Sequence, residues 1–100
     1  MSNSVFKNEG ISVAYFSTSA CNVCKVLRPK IEKILKDDFP KVSFHFIDSE
    51  KLPEIAAKNM VFSAPVIIVF AEGKETLRYA RNLSLDDFKR DLHRLSDLIN

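Results

Sequence analysis

The chain has 100 residues, 46% of them apolar, enough to bury one core and not two, so a single domain over residues 1–100 is expected. Its 15 Lys and Arg against 13 Asp and Glu leave a formal charge of +2, and the signs are scattered, which argues against the basic footprint of a nucleic-acid binder. No apolar run approaches the roughly 18 residues of a membrane span, and the opening stretch to Gly10 lacks the charged-then-apolar pattern of an export signal, so a cytoplasmic protein without membrane attachment is expected.

Gly10 precedes Ile11-Ser12-Val13-Ala14-Tyr15-Phe16, a short apolar run of mostly β-branched or aromatic residues that reads as a buried strand. Ser17-Thr18-Ser19 ends it with small polar residues. From Asn22 onward Val23, Leu27, Ile31, Ile34 and Leu35 recur at helical spacing with charged residues between them, giving an amphipathic helix to about Asp37-Asp38. Pro29 lies inside that helix and is expected to bend its axis. Val42 to Ile47 alternates as a second strand. Asp48-Ser49-Glu50 supply cap-like residues for a short helix over about Leu52 to Asn59, with Pro53 tolerable in its first turn.

Pro65-Val66-Ile67-Ile68-Val69-Phe70 is the most apolar run and reads as a central strand. Glu72-Gly73 turns it into an antiparallel partner over Glu75 to Ala80. Ser84-Leu85-Asp86-Asp87 resembles a capping box, and Phe88, Leu92, Leu95 and Ile99 mark one face of a last helix. The order βαβαββα calls for an α/β fold, a mixed sheet of about four strands with helices on both faces.

Both cysteines of the chain, Cys21 and Cys24, stand where the first strand hands over to the first helix. A bridge three residues long closes almost no loop, so it stabilises little, and the value of the pair is either chemical or incidental. Cys21 falls beside unpaired N–H groups at the positive end of the helix dipole, a setting that favours thiolate. Cys24 lies one turn further in and on the same side, more shielded from solvent. A structural zinc site wants four ligands, and His45 and His93 are distant, so no metal is expected. His45 reads as a strand residue and His93 as a solvated helix residue.

These features together resemble the thioredoxin superfamily, from about Ile11 to Leu98. The resemblance is carried by the C-x-x-C of Cys21-Asn22-Val23-Cys24 after a strand, by Lys25, by Pro29 five residues past the second cysteine, and by Ile47-Asp48. Ser63-Ala64-Pro65-Val66 and Gly73-Lys74 complete it. It implies a thioredoxin fold, a cis Ala64–Pro65 bond beside the sulfurs, and protein-disulfide exchange with Cys21 as nucleophile and Cys24 as resolving thiol. It also implies a substrate groove shaped by Ala64, Pro65 and Ala20, with electrostatic support from Lys25 and no organic cofactor. Partners would be disulfide-containing protein substrates and a thioredoxin-reductase-like or other thiol electron donor.

The chain departs from the family pattern at several positions. Asn22-Val23 replace the usual Gly-Pro, and Ala20 replaces an aromatic residue, removing docking surface. Tyr15 and Phe44 stand where the family carries a buried carboxylate and its lysine, so Cys24 is expected to lack its customary proton acceptor. With 10 residues before the first strand, the extra strand and most of the first helix of full thioredoxins are expected to be missing or reduced. Glutathione binding is not expected, since Val23 is not aromatic. The competing class is a thioredoxin-fold interaction module with weak or no reductase activity; an oxidant or isomerase of an oxidising compartment is disfavoured by the missing export signal.

Overall fold

The computed structural model describes residues 10–99, and the expectation of a shortened N-terminal region lies outside them. Seven elements follow in the expected order: β1 (Ile11–Ser17), α1 (Asn22–Asp38), β2 (Ser43–Asp48), α2 (Pro53–Lys58), β3 (Val66–Ala71), β4 (Lys74–Tyr79) and α3 (Leu85–Ile99). The third strand begins at Val66 rather than Pro65, because proline has no N–H to give to a ladder.

One four-stranded sheet runs β2-β1-β3-β4. β1 lies parallel to β2 and antiparallel to β3, which in turn pairs antiparallel with β4. Parallel pairing of β1 and β2 demands a crossover, and α1 supplies it. Every residue of β1 is buried, as expected for a strand covered on both faces. Its alternation divides the core. Val13 and Tyr15 face a cluster with Ile31 and Leu35 of α1 and Phe88, Leu92 and Leu95 of α3, whereas Ala14 and Phe16 face one with Ile47, Ala56 of α2, Val61 and Ile68. Helices thus cover both faces, α1 and α3 on one side and α2 on the other.

Local chemistry explains most of the boundaries. The hairpin between β3 and β4 has Glu72 at φ 55° and Gly73 at φ 83°, the positive pair a tight two-residue turn needs. Glu72 is also tied to the start of β1, its backbone N–H donating to the Gly10 carbonyl at 2.8 Å while its carboxylate accepts the Gly10 N–H at 2.8 Å. Ser84 caps α3 as expected, its hydroxyl accepting the Asp87 N–H at 3.2 Å. One cap differs from expectation. Leu52, not the Asp48-Ser49-Glu50 group, occupies the N-cap of α2, without a side-chain cap bond. The Asp48 carboxylate instead accepts the N–H groups of Glu50 and Lys51, closing a turn too far upstream to reach the helix. Pro29 is accommodated inside α1, which continues unbroken to Asp38.

Candidate active site

The strand-to-helix handover places Cys21 at the N-cap of α1, in extended conformation (φ −87°, ψ 99°). Its Sγ accepts the backbone N–H of Cys24 at 3.1 Å, the bond a Ser or Asp makes in an ordinary N-cap. Sulfur is therefore positioned where helix N–H groups converge, which stabilises negative charge on it. Cys21 and Cys24 are joined as a disulfide with Cα atoms 5.3 Å apart, the oxidised state of the pair.

The two sulfurs are not equivalent. Cys21 is 9% exposed and Cys24 only 1%. Cys21 lines a groove of about 790 Å³ together with Ala20, Val23, Ala64 and Phe62, whereas Cys24 does not. Ala64 is half-buried and Pro65 fully buried, and the peptide bond between them is cis. Cys21, Ala20 and Ala64 are thus brought to one groove, whereas Pro65, fully buried, is not among the residues that line it. Lys25 lies on the first turn of α1 with its side chain exposed.

Beneath Cys24 the sheet is aromatic. Tyr15 is fully buried, its ring 6.1 Å from that of Phe44 and stacked on Phe46 at 6.1 Å and 22°. Its hydroxyl donates to the Cys24 carbonyl at 2.8 Å. Burial pushes that hydroxyl from 10.0 up to about 12, opposed by the nearby Arg28 charge and assisted by Glu32. Tyr15 therefore stays neutral throughout the physiological range and accepts no proton from Cys24. The guanidinium carbon of Arg28 stands over the Phe46 ring, 3.7 Å from its centre, and its Nε is 3.5 Å from the Glu32 carboxylate. A cation and a carboxylate thus stand at the edge of the aromatic stack, outside the position of the family's buried pair.

Three features of the site went unmarked in the sequence. Glu50 accepts both the backbone N–H and the hydroxyl of Ser19, fixing the loop before Cys21. Arg78 holds the segment leading to Ala64. Phe62 stands in the groove wall, and its only signal in the sequence is a large aromatic residue in the connecting segment three positions before Pro65. Of the histidines, His93 packs on Phe39 with ring centres 4.5 Å apart, its Nε2 3.7 Å from the Asp38 carboxylate, and its side chain is half exposed. His45 sits in β2, half-buried and paired with Ala14. No group of three or more His, Cys, Asp or Glu among the described residues could hold a metal ion.

The thioredoxin family model matches residues 2–94. The chain belongs to the thioredoxin family. It is 32% identical over 89 residues to the thioredoxin-like protein YdfQ of Bacillus subtilis, spanning 89% of this chain and 79% of that protein. Thioredoxin-1 of Saccharomyces cerevisiae is 30% identical over 76 residues, spanning 76% and 73% of the two chains. The solved structure of thioredoxin 1 from Thermosipho africanus superposes with a TM-score of 0.79 at 30% identity, covering 87% of this chain and 96% of that one. A thioredoxin-family chain whose C-x-x-C sulfurs are bonded at the head of a helix is a thiol-disulfide oxidoreductase.

Proposed function

We propose that this thioredoxin-family protein works as a single domain that reduces protein disulfides, with Cys21 as nucleophile and Cys24 as resolving thiol. The observation that supports these roles is the asymmetry of the pair: Cys21 opens onto the groove and accepts a helix N–H, while Cys24 is closed off behind it. In the reduced protein the Cys21 thiolate attacks one sulfur of the partner, forming a mixed disulfide and expelling the other partner sulfur, which takes up a proton. Loss of the Cys24 proton to solvent or to that released thiolate lets Cys24 attack Cys21 Sγ, freeing the second partner thiol. Two electrons pass to the substrate and leave the Cys21–Cys24 bridge.

The half-buried backbone of Ala64 is suited to pairing with an extended substrate segment, and Pro65 presents no competing N–H beside Cys21. Ala20 leaves room on the opposite wall. Lys25 adds positive charge near the thiolate, weakly, since its exposed ammonium is screened by solvent. A thioredoxin-reductase-like enzyme or another thiol donor returns the electrons, which makes the protein a carrier in electron transport. No helix among the described residues is long and apolar enough to cross a membrane, and a cytoplasmic setting that keeps thiols reduced suits the proposed direction of transfer.

The test is turnover of a disulfide-bonded protein driven by dithiothreitol, with the natural chain, Cys21→Ser and Cys24→Ser. Loss of turnover in the first variant and a trapped mixed disulfide in the second are expected. Turnover no faster than dithiothreitol alone would overturn the reductase assignment in favour of a binding module.

A further inference from the structure

Phe62 is 80% exposed and its neighbour Met60 71%, whereas Phe16, Phe39, Phe44, Phe70 and Phe88 pack into or against the two cores. The ring borders the Cys21 groove on one side and, on the other, a hollow lined by Val66, Tyr79 and Ala80. It stands as a ridge between them.

The backbone under this ridge is firmly held. Met60 adopts φ 56°, a left-handed conformation costly for a side chain of its kind. Arg78, reaching from β4, donates to the Asn59 carbonyl at 2.7 Å and to the Met60 carbonyl at 3.4 Å. The same guanidinium is forked on the Glu75 carboxylate through two bonds of 2.8 Å. Val61 N–H donates to the Ala56 carbonyl at 2.8 Å and its side chain is buried, anchoring the residue immediately before the ring. Phe62 is therefore displayed by a fixed ledge rather than by a loose loop, and little ordering cost attaches to using it. Across the groove, Ala20 offers no large apolar surface.

Building on the thiol-disulfide reading of Cys21, we propose that Phe62 is the specificity-determining residue of the groove, selecting protein disulfides that carry an apolar side chain next to the attacked cysteine. Arg78 is the positioning residue that keeps the ring there. A small disulfide reaches Cys21 without touching the ridge; a polypeptide lying along the groove covers it.

The experiment compares three substrates: a disulfide-bridged peptide with Leu beside the attacked cysteine, the same peptide with Ser there, and hydroxyethyl disulfide. In Phe62→Ala, KM for the Leu peptide is expected to rise about tenfold, the loss that follows when about half of a phenylalanine's apolar burial is removed, while kcat holds. Turnover of hydroxyethyl disulfide should not change, the preference for Leu over Ser should disappear, and Phe62→Leu should restore most of it. Arg78→Ala should raise the same KM with kcat retained. An unchanged Leu-to-Ser ratio in Phe62→Ala would overturn the proposal, as would an equal loss on hydroxyethyl disulfide. A change in elution volume between the natural chain and Phe62→Ala would assign the ring to self-association and overturn it too. If the natural chain turns over none of the three substrates, the reductase reading itself fails, whereas turnover without discrimination sinks only the role of Phe62.

Discussion

Replacing Tyr15 by Phe isolates the one hydroxyl that stands at the position of the family's buried carboxylate. At neutral pH the variant loses a buried bond of 2.8 Å to the Cys24 carbonyl, but that carbonyl keeps the helix donor one turn on, so about 1 kcal/mol of stability should be lost. At alkaline pH the sign changes. The folded hydroxyl is raised from 10.0 to about 12, chiefly by burial, so the unfolded chain ionises first. Stability tied to the proton is fully present below pH 10 and is lost as pH rises through about 12, a total of about 3 kcal/mol. The natural chain loses this and the Phe variant has none to lose, so their stabilities should cross near pH 11. Urea unfolding of the oxidised proteins at pH 8 and at successive steps to pH 11.5 would measure it, with tyrosinate absorbance as a second probe uncomplicated by tryptophan, which the chain lacks. A variant that stays less stable by the same margin at every pH would refute the assignment of a protected, neutral Tyr15. The second tyrosine, Tyr79, is also raised by burial and by its 2.8 Å bond to Asp91, but contributes equally to both proteins and cancels.

Two further outcomes are expected. Because Tyr15 and Phe44 put neutral rings where a proton acceptor would stand, reductive turnover should keep rising with pH above neutrality; the pair Tyr15→Asp with Phe44→Lys should move the half-maximal rate down by roughly one pH unit at some cost in stability, and an unmoved pH-rate profile would show that Cys24 deprotonation does not limit the reaction. Phe88→Ala removes a fully buried ring that meets Tyr79 edge-on at 5.4 Å, and thermal unfolding should show a loss of about 3–5 kcal/mol, a large part of a small domain's stability.

What the sequence determined by itself was whatever depends on near neighbours along the chain. Alternation and helical spacing are periodic, so the order and type of all seven elements were legible, as were the hairpin at Glu72-Gly73 and the Ser84 cap. The placement of Cys21 at a helix start followed from the same logic, since the apolar run ends at Phe16, five residues before it, and helical spacing begins just after. The short-range cap expected of Asp48 failed for a local reason, a competing turn whose N–H groups lie nearer. Only the tertiary structure decided the rest. The stacking of Tyr15, Phe46 and Arg28 joins a strand, its parallel neighbour and the helix that crosses between them, and no period along the chain encodes that meeting. Arg78 reads in the sequence as one more surface charge, and it becomes a clamp because β4 lies beside β3 and brings the guanidinium to carbonyls 18 and 19 residues away. The exposure of Phe62 has the same origin. Hydrophobicity alone would bury the ring, and it remains outside because Val61 is packed inward and the clamped backbone turns the next side chain toward solvent, at the wall of the groove that Cys21 lines.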